Sequence, residues 1–173
     1  MLVKAPVKLG ICDDVLTSTF IAATCPKLIA PAMNVNMYDN LATQRNIERC
    51  KTYGIKFVEP GYGLLACGDT GRGKLADLNQ IMAMIEYCLC NKPLKNKRVL
   101  ITAGPTQEAI DPVRYITNHS SGKMGYALAK RAFELGAKVT LITGPTNLDF
   151  PYGIKVIQIK SASEMFEAVK WFI

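Results

Sequence analysis

Three short stretches of the chain hold residue types that could do chemistry. The first is Ala30-Pro31-Ala32-Met33-Asn34-Val35-Asn36-Met37-Tyr38. Its two carboxamides offer neutral donors and acceptors, and its thioethers offer soft, adaptable apolar surface. A flat aromatic cofactor beside a polar substrate would suit that set. A loop carrying two core methionines would look the same, and residue types alone leave both readings open. The second stretch runs from Gly61 to Lys74, with five glycines within residues 61–73. Such a loop can approach a phosphate or hinge a flap over a substrate. Cys67 lies at its centre with Arg72 and Lys74 nearby, so neighbouring cations could tune its thiol. A plain surface loop is the alternative. Gly68 to Lys74 also fits G-x-x-x-x-G-K, but Leu75 stands where a phosphate loop needs a magnesium-binding hydroxyl, and that reading fails.

The third stretch joins Thr102-Ala103-Gly104-Pro105-Thr106, Asp111-Pro112-Val113-Arg114-Tyr115 and Asn118-His119-Ser120-Ser121-Gly122-Lys123-Met124-Gly125. Ser120, Ser121 and Gly122 open a predicted helix, whose free N–H groups and dipole attract anions. The pattern is not G-x-G-x-x-G, so a nicotinamide fingerprint is missing. The serines could simply cap the helix. His119, the only histidine, could be a base, or merely an exposed or hydrogen-bonding side chain.

The elements that must position these residues follow from periodicity and stop signals. Lys27 to Ala30 reads as a strand leading into Pro31. Ala42 to Tyr53 reads as a helix stopped by Gly54, and Ile55 to Val58 as a strand. Asp77 with Gln80 begins a helix whose Leu78, Ile81, Met82, Ile85 and Leu89 share one apolar face. A polar segment, Asn91 to Arg98, separates this pattern from a second one. There Val99 to Thr102 is a strand, Ala103 to Ser121 a long loop, and Gly122 to Leu135 a helix with Met124, Leu128, Ala132 and Leu135 on one face. Lys138 to Thr143 and Ile154 to Ile159 are strands. Ser161 and Glu164 form a capping box for a last helix carrying Met165, Phe166, Val169 and Phe172. This order predicts an α/β fold with parallel sheets and crossover helices, with ligands at the carboxyl ends of the strands.

Composition narrows the function classes. The 173 residues are 49% hydrophobic and 20% charged, which excludes a disordered chain. No stretch reaches the roughly 18 consecutive apolar residues of a membrane span, and Met1 to Asp14 does not read as a signal peptide. The net charge of +7 is spread over both halves, with 11 basic and 8 acidic residues in 1–95 and 10 and 6 in 96–173. A diffuse positive field without a basic stripe suits small phosphorylated ligands better than nucleic acid. The six cysteines all precede residue 91 and contain no CxxC pair, so reduced thiols in a cytoplasm are expected rather than a zinc site or a disulfide framework.

The stretches also resemble a known family. Pro31-Ala32-Met33-Asn34-Val35-Asn36-Met37 is similar to the P-x-M-N-x-x-M motif of flavin-dependent cysteine decarboxylases, and Ala66-Cys67-Gly68 to their substrate clamp. Gly104-Pro105-Thr106 through Gly125 resembles the start of phosphopantothenate–cysteine ligase. Both motifs in this order resemble the bacterial bifunctional phosphopantothenoylcysteine decarboxylase/phosphopantothenate–cysteine ligases of coenzyme A synthesis.

That resemblance implies two partial Rossmann-like three-layer sandwiches. Residues 1–92 would be the end of an FMN-dependent decarboxylase domain, 93–97 a linker, and 98–173 the start of a ligase domain. It implies CTP with Mg2+ as cosubstrate of the ligation, FMN as cofactor of the decarboxylation, and a homo-oligomer for the intact enzyme, with neither nucleic acid nor membrane as partner. By motif match, Asn34 holds the substrate carboxylate, Cys67 donates a proton, and Met33, Met37, Gly68 and Gly71 line that site. Asn118 contacts phosphopantothenate or its cytidylate. A softer physical inference adds Gly104, Ser120, Ser121, Gly122 and Lys123 around an anionic group. The family's FMN phosphate loop and upstream catalytic histidine are not in this sequence, nor are the ligase's later strands and lysine-rich loop, so the chain alone is expected to be inactive. The alternative is a stand-alone nucleotide- or flavin-binding α/β module without catalysis.

Overall fold

Helix starts in this chain are set by side-chain caps. Asp14 Oδ1 accepts from Thr17 N at 2.7 Å and opens α1 (Val15–Ala22), an element with no counterpart among the sequence expectations. Asn34 Oδ1 accepts from Asn36 N and opens α2 (Val35–Asp39); Asn40 Oδ1 accepts from Ala42 N and opens α3 (Leu41–Thr52). The computed structural model describes residues 12, 14–65 and 68–172. The expectations placed on Met1 to Asp14 fall almost wholly outside these residues, as does Cys67. The chain divides after Leu89 into two compact units.

In the first unit, β1 (Leu28–Ile29) pairs in parallel with β2 (Lys56–Phe57). The glycine-rich stretch is not a loop. It is an antiparallel hairpin, β3 (Gly61–Leu64) against β4 (Thr70–Lys74). Its turn is closed by Leu65 N donating to the Asp69 carbonyl at 2.8 Å and Gly68 N to the Leu65 carbonyl at 2.9 Å. Glycine spacing looked like a flexible segment because β propensity does not register strands chosen for how closely another backbone can approach them. Likewise the stretch after β1 contains α2, where a loop was expected.

α4 (Leu78–Leu89) forms as expected, with Asp77 Oδ1 accepting from Asn79 N at 2.8 Å. Its apolar face is not buried: Leu78 is 71% and Leu89 75% exposed. The helix packs against β1, whose two residues offer little surface to cover it.

The second unit is built on β5 (Arg98–Ala103), β8 (Lys138–Thr143) and β9 (Lys155–Gln158), parallel and in the order β5-β8-β9. This is the parallel sheet with crossover helices that the sequence order predicted. The central strand β8 is almost wholly buried, and its Leu141 and Ile142 are fully so. α5 (Lys123–Glu134) lies against β5 and β8. It does so through Tyr126, Ala129 and Ala132 rather than the expected Met124 and Leu128, which are 79% and 55% exposed. Small side chains and one aromatic let the helix approach the sheet closely, so residue size decided the face, and the count of large apolar residues misread it. The long loop after β5 contains a further antiparallel hairpin, β6 (Gln107–Ala109) with β7 (Tyr115–Thr117). α6 (Ala162–Lys170) starts at Ser161, whose Oγ accepts from Glu164 N at 3.2 Å. The polar segment expected as a linker folds onto the end of α5: Lys92 Nζ donates to the Glu134 carbonyl at 2.8 Å and Leu94 N to the Leu135 carbonyl at 3.1 Å.

Candidate functional site

In the first unit the loop after β1 is seated on the hairpin. Met33 N donates to the Gly73 carbonyl at 2.9 Å. Gly73 has φ of 141°, and a side chain there would strike the Met33 carbonyl, so only glycine permits this approach. Asn34 Nδ2 donates to Asp69 Oδ2 at 3.0 Å, a charge-assisted bond from loop to hairpin. Between them lies a cavity of about 470 Å³ whose walls include Met33, Asn34, Leu64, Leu65, Gly73 and Lys74. It is apolar apart from one carboxamide and one ammonium, the pattern of a ligand site with a few orienting polar groups.

The structure brings Met33 and Asn34 to this cavity. Met37 is 40% exposed on α2, Gly71 is buried against Val35 in β4, and Gly68 is exposed in the hairpin turn. Behind the loop, the buried Tyr38 donates its hydroxyl to Glu59 Oε2 at 3.0 Å. Burial first, and then the Glu59 carboxylate, raises Tyr38 above the ordinary phenol value, so it stays a neutral donor. Sequence reasoning missed Asp69 and Glu59. Asp69 was visible next to the Cys67-Gly68 pair, but nothing in a linear pattern ties it to Asn34, 35 residues away.

In the second unit the carboxyl ends of β5 and β8 meet the start of α5. Gly122 is the N-cap, in a left-handed conformation with φ of 75° and without a side-chain cap. A Cβ on it would lie 2.9 Å from Thr146 Cγ2 and 3.3 Å from Gly104 N, so Gly104, Gly122 and Thr146 form one tight cluster. The capping alternative for Ser120 and Ser121 therefore fails; both are exposed, as are His119 and Lys123. Asn118 Oδ1 accepts from Ser120 N at 3.0 Å and shapes the turn into the helix. Tyr126, unmarked in the sequence, donates its hydroxyl to Thr143 Oγ1 at 3.3 Å and lies 3.0 Å from Thr146 Oγ1, tying the helix to the strand end. Arg114 is not at this cluster's hydrogen bonds. Its N and Nε reach Asp111 at 2.7 and 2.6 Å, and Val113 N donates to the same carboxylate at 2.9 Å. These N–H donors, Val113 first, hold Asp111 below the ordinary carboxylate range.

Both units thus place glycine-assisted polar sites just beyond the strand ends, as in α/β proteins that bind small ligands. Comparison with known proteins matches a family model to each unit. Residues 5–89 match the family model described as flavoprotein. Residues 94–172 match that of the DNA/pantothenate metabolism flavoprotein C-terminal domain. The coenzyme A biosynthesis bifunctional protein of Vibrio vulnificus strain YJ016 is 51% identical over 160 residues, 92% of this chain and 40% of the relative. The protein of the same name from Bacillus subtilis strain 168 is 53% identical over 164 residues, with the same coverage. A crystal structure of the C-terminal domain of such a protein covers 47% of this chain and 41% of that chain at 56% identity, with a TM-score of 0.46. The chain belongs to the family of bifunctional coenzyme A biosynthesis proteins, and it spans about 40% of the length of the curated relatives it matches. Among the described residues no helix is long and apolar enough to cross a membrane.

Proposed function

We propose that the chain serves two steps of coenzyme A synthesis from pantothenate in the cytoplasm. These are CTP-dependent ligation of 4′-phosphopantothenate to cysteine, and FMN-dependent decarboxylation of 4′-phosphopantothenoylcysteine to 4′-phosphopantetheine. Residues 1–92 belong to the decarboxylase and 98–173 to the ligase, with 93–97 between them, and the working enzyme is a homo-oligomer. Because the chain is about 40% of its relatives' length, it performs neither reaction alone. The observation that carries the reading is the seat of the Asn34 loop on the hairpin that contains position 67, through Met33 N to Gly73 and Asn34 to Asp69.

In the decarboxylase, Asn34 offers N–H donors to the substrate carboxylate. Met33 and Met37 with Gly68 and Gly71 shape the surroundings, and Cys67 gives a proton, since a thiol near neutral pH can donate and leave a usable thiolate. The apolar walls of the cavity and its Lys74 ammonium fit a flat ring with an anionic tail, so Met33 and Asn34 would stand beside FMN. When bound, FMN would supply reversible two-electron chemistry, taking up the electrons of thiol oxidation and returning them after carbon dioxide has left, as Cys67 gives its proton. In the ligase, Asn118 contacts the phosphopantothenoyl group. Gly104, Ser120, Ser121, Gly122 and Lys123 surround an anion at the uncapped start of α5. Among the described residues no group of three His, Cys, Asp or Glu side chains could hold a metal, so no residue is assigned to Mg2+.

NMR titration of the purified chain tests both sites without requiring turnover. 4′-Phosphopantothenoylcysteine should shift Asn34 and Leu64 signals, and CTP should shift Gly122 and Lys123. Silence in both titrations sinks the reading. A visible spectrum with and without added FMN adds a check: a yellow sample that releases carbon dioxide would overturn the claim that the chain is inactive alone.

A further inference from the structure

Lys74 ends β4 and is exposed, yet its side chain runs along the hairpin. Its register partner is Gly61, where a built Cβ would lie 3.8 Å from Lys74 Cβ. Two residues further along β3, a Cβ on Gly63 would lie 3.6 Å from Lys74 Cδ. The stem therefore follows the trough that two missing side chains leave, and it carries the ammonium toward Leu64 and Leu65, with which it shares the cavity wall. An apolar stem laid on the surface with its charge at the rim is how lysines are commonly held. Among the described residues that line the cavity, Lys74 is the only charged one. Among the described residues its ammonium also enters no hydrogen bond or ion pair. Arg72, two residues before it, is exposed as well, but its charge acts on Tyr38, beside Glu59, and it is not on the cavity wall.

An unpaired ammonium at the rim of an apolar cavity suits a ligand with an apolar body and one anionic end. A phosphate monoester fits that end better than a carboxylate. It carries close to two charges at neutral pH, and lysine meets phosphate as a compact point charge that can stay in water. We infer that Lys74 makes this cavity selective for ligands that bear a phosphate monoester. The inference rests on the proposed reading of the cavity as a ligand site of the decarboxylase. Two ligands of that reading, FMN and 4′-phosphopantothenoylcysteine, share this chemistry. Lys74 meets the phosphate and not the reacting atoms, so it sets affinity rather than the chemical step.

The test is NMR titration of the full chain with paired probes, read at the Leu64 and Leu65 amides. The pairs are FMN against riboflavin, and 4′-phosphopantothenoylcysteine against pantothenoylcysteine. In at least one pair the phosphorylated member should bind about 3- to 10-fold more tightly, as one partly exposed charge-assisted bond allows. The pair that shows the preference identifies which phosphate Lys74 meets. Lys74→Gln should remove the preference and leave the unphosphorylated probe unaffected. Lys74→Arg keeps the charge and should retain most of it. Arg72→Gln removes an equal charge nearby and should leave it in place, and added salt should shrink it. Both positions are exposed, so these variants should keep the fold, which the signals of the buried Val58 check. A preference that survives Lys74→Gln overturns the inference. So does the absence of a preference in both pairs, or its equal loss in Arg72→Gln. If none of the four probes binds, the decarboxylase reading falls, and inorganic phosphate decides the inference separately. Phosphate-induced shifts of the Gly73 and Leu75 amides that vanish in Lys74→Gln support an anion site at Lys74, and their absence overturns it.

Discussion

The two units solve the same problem, holding polar groups beyond a strand end, by different means. In the second, side chains do it: Ala129, Val139, Leu141 and their neighbours form one buried cluster under α5, and Tyr126 carries that rigidity to the strand end. In the first, backbone does it. Among the described residues its parallel sheet has two strands of two residues each, α4 has no fully buried residue, and the Asn34 loop is held by a backbone bond to a glycine strand. A site held by packed side chains should respond to changes of volume. A site held by close backbone approach should respond to the addition of a single Cβ.

The largest effect should follow Leu141→Ala. The side chain is fully buried at the centre of β8, and its loss should cost about 2–5 kcal/mol in chemical denaturation followed through second-unit signals. Leu78→Ala, at a residue 71% exposed on α4, should stay within about 0.5 kcal/mol. Equal costs would break the comparison by revealing that the apolar face of α4 is covered in solution.

Next in size is Gly73→Ala. At φ of 141° with the Met33 carbonyl in the way, an added methyl must displace the loop. We expect a local cost of about 1–3 kcal/mol, read as faster exchange at the Met33 amide and shifted Asn34 signals. Gly54→Ala is the control. Its φ is also positive, but its Cβ would meet no neighbour, so it should carry backbone strain without moving the Asn34 loop. If the two variants move Asn34 alike, close approach is not what seats the site.

How much of this was legible before the structure depended on which kind of interaction was at work. Parallel strands around Leu100 and Leu141, the helix ending at Gly54 and the Ser161 cap were readable, because each is specified by residues within a few positions of one another. The motifs containing Asn34 and Asn118 were readable by resemblance. The glycine hairpin was not, because Gly61, Gly63, Gly71 and Gly73 have low strand propensity and are tolerated for the sake of a partner backbone far away in sequence. The buried face of α5 was misread for a related reason. Ala132 was on the expected face, but Ala129 was not, and its small side chain records how near the sheet lies, which hydrophobic periodicity cannot see. The Asn34–Asp69 bond spans 35 residues and has no local trace.

A smaller effect should follow Ser161→Ala, which removes the cap of α6. The loss should be about 1 kcal/mol, read as fraying of the Glu164 amide, whose N–H donates to Ser161 Oγ at 3.2 Å. Glu164 Oε2 also accepts from Lys160 N at 2.7 Å and Glu108 Oε1 from Ala162 N at 2.8 Å, so the helix start keeps two of its three side-chain bonds and should not melt. Complete loss of the helix would mean that the second unit depends on local caps as much as on its core, which would weaken the contrast with the first.

The smallest effect is a pH dependence confined to the turn between β6 and β7. Asp111 has its folded-state value held below the ordinary 3.8 by the N–H groups of Val113 and Arg114 and then by the Arg114 guanidinium. A carboxylate depressed in the folded state contributes stability above its unfolded value, and loses it as pH falls through the lower folded value. The Asp111 side chain is 32% exposed in a surface turn, so the contribution is small and screened by salt. Amide shifts of Val113 and Arg114 should therefore hold steady down to the ordinary carboxylate range and move only below it. Asp111→Asn should abolish that movement while leaving the buried signals of Leu141 and Tyr126 in place. Movement of Leu141 in step with Arg114 would show that this exposed turn is coupled to the side-chain core, and the second unit would then be one cooperative block out to its surface hairpin.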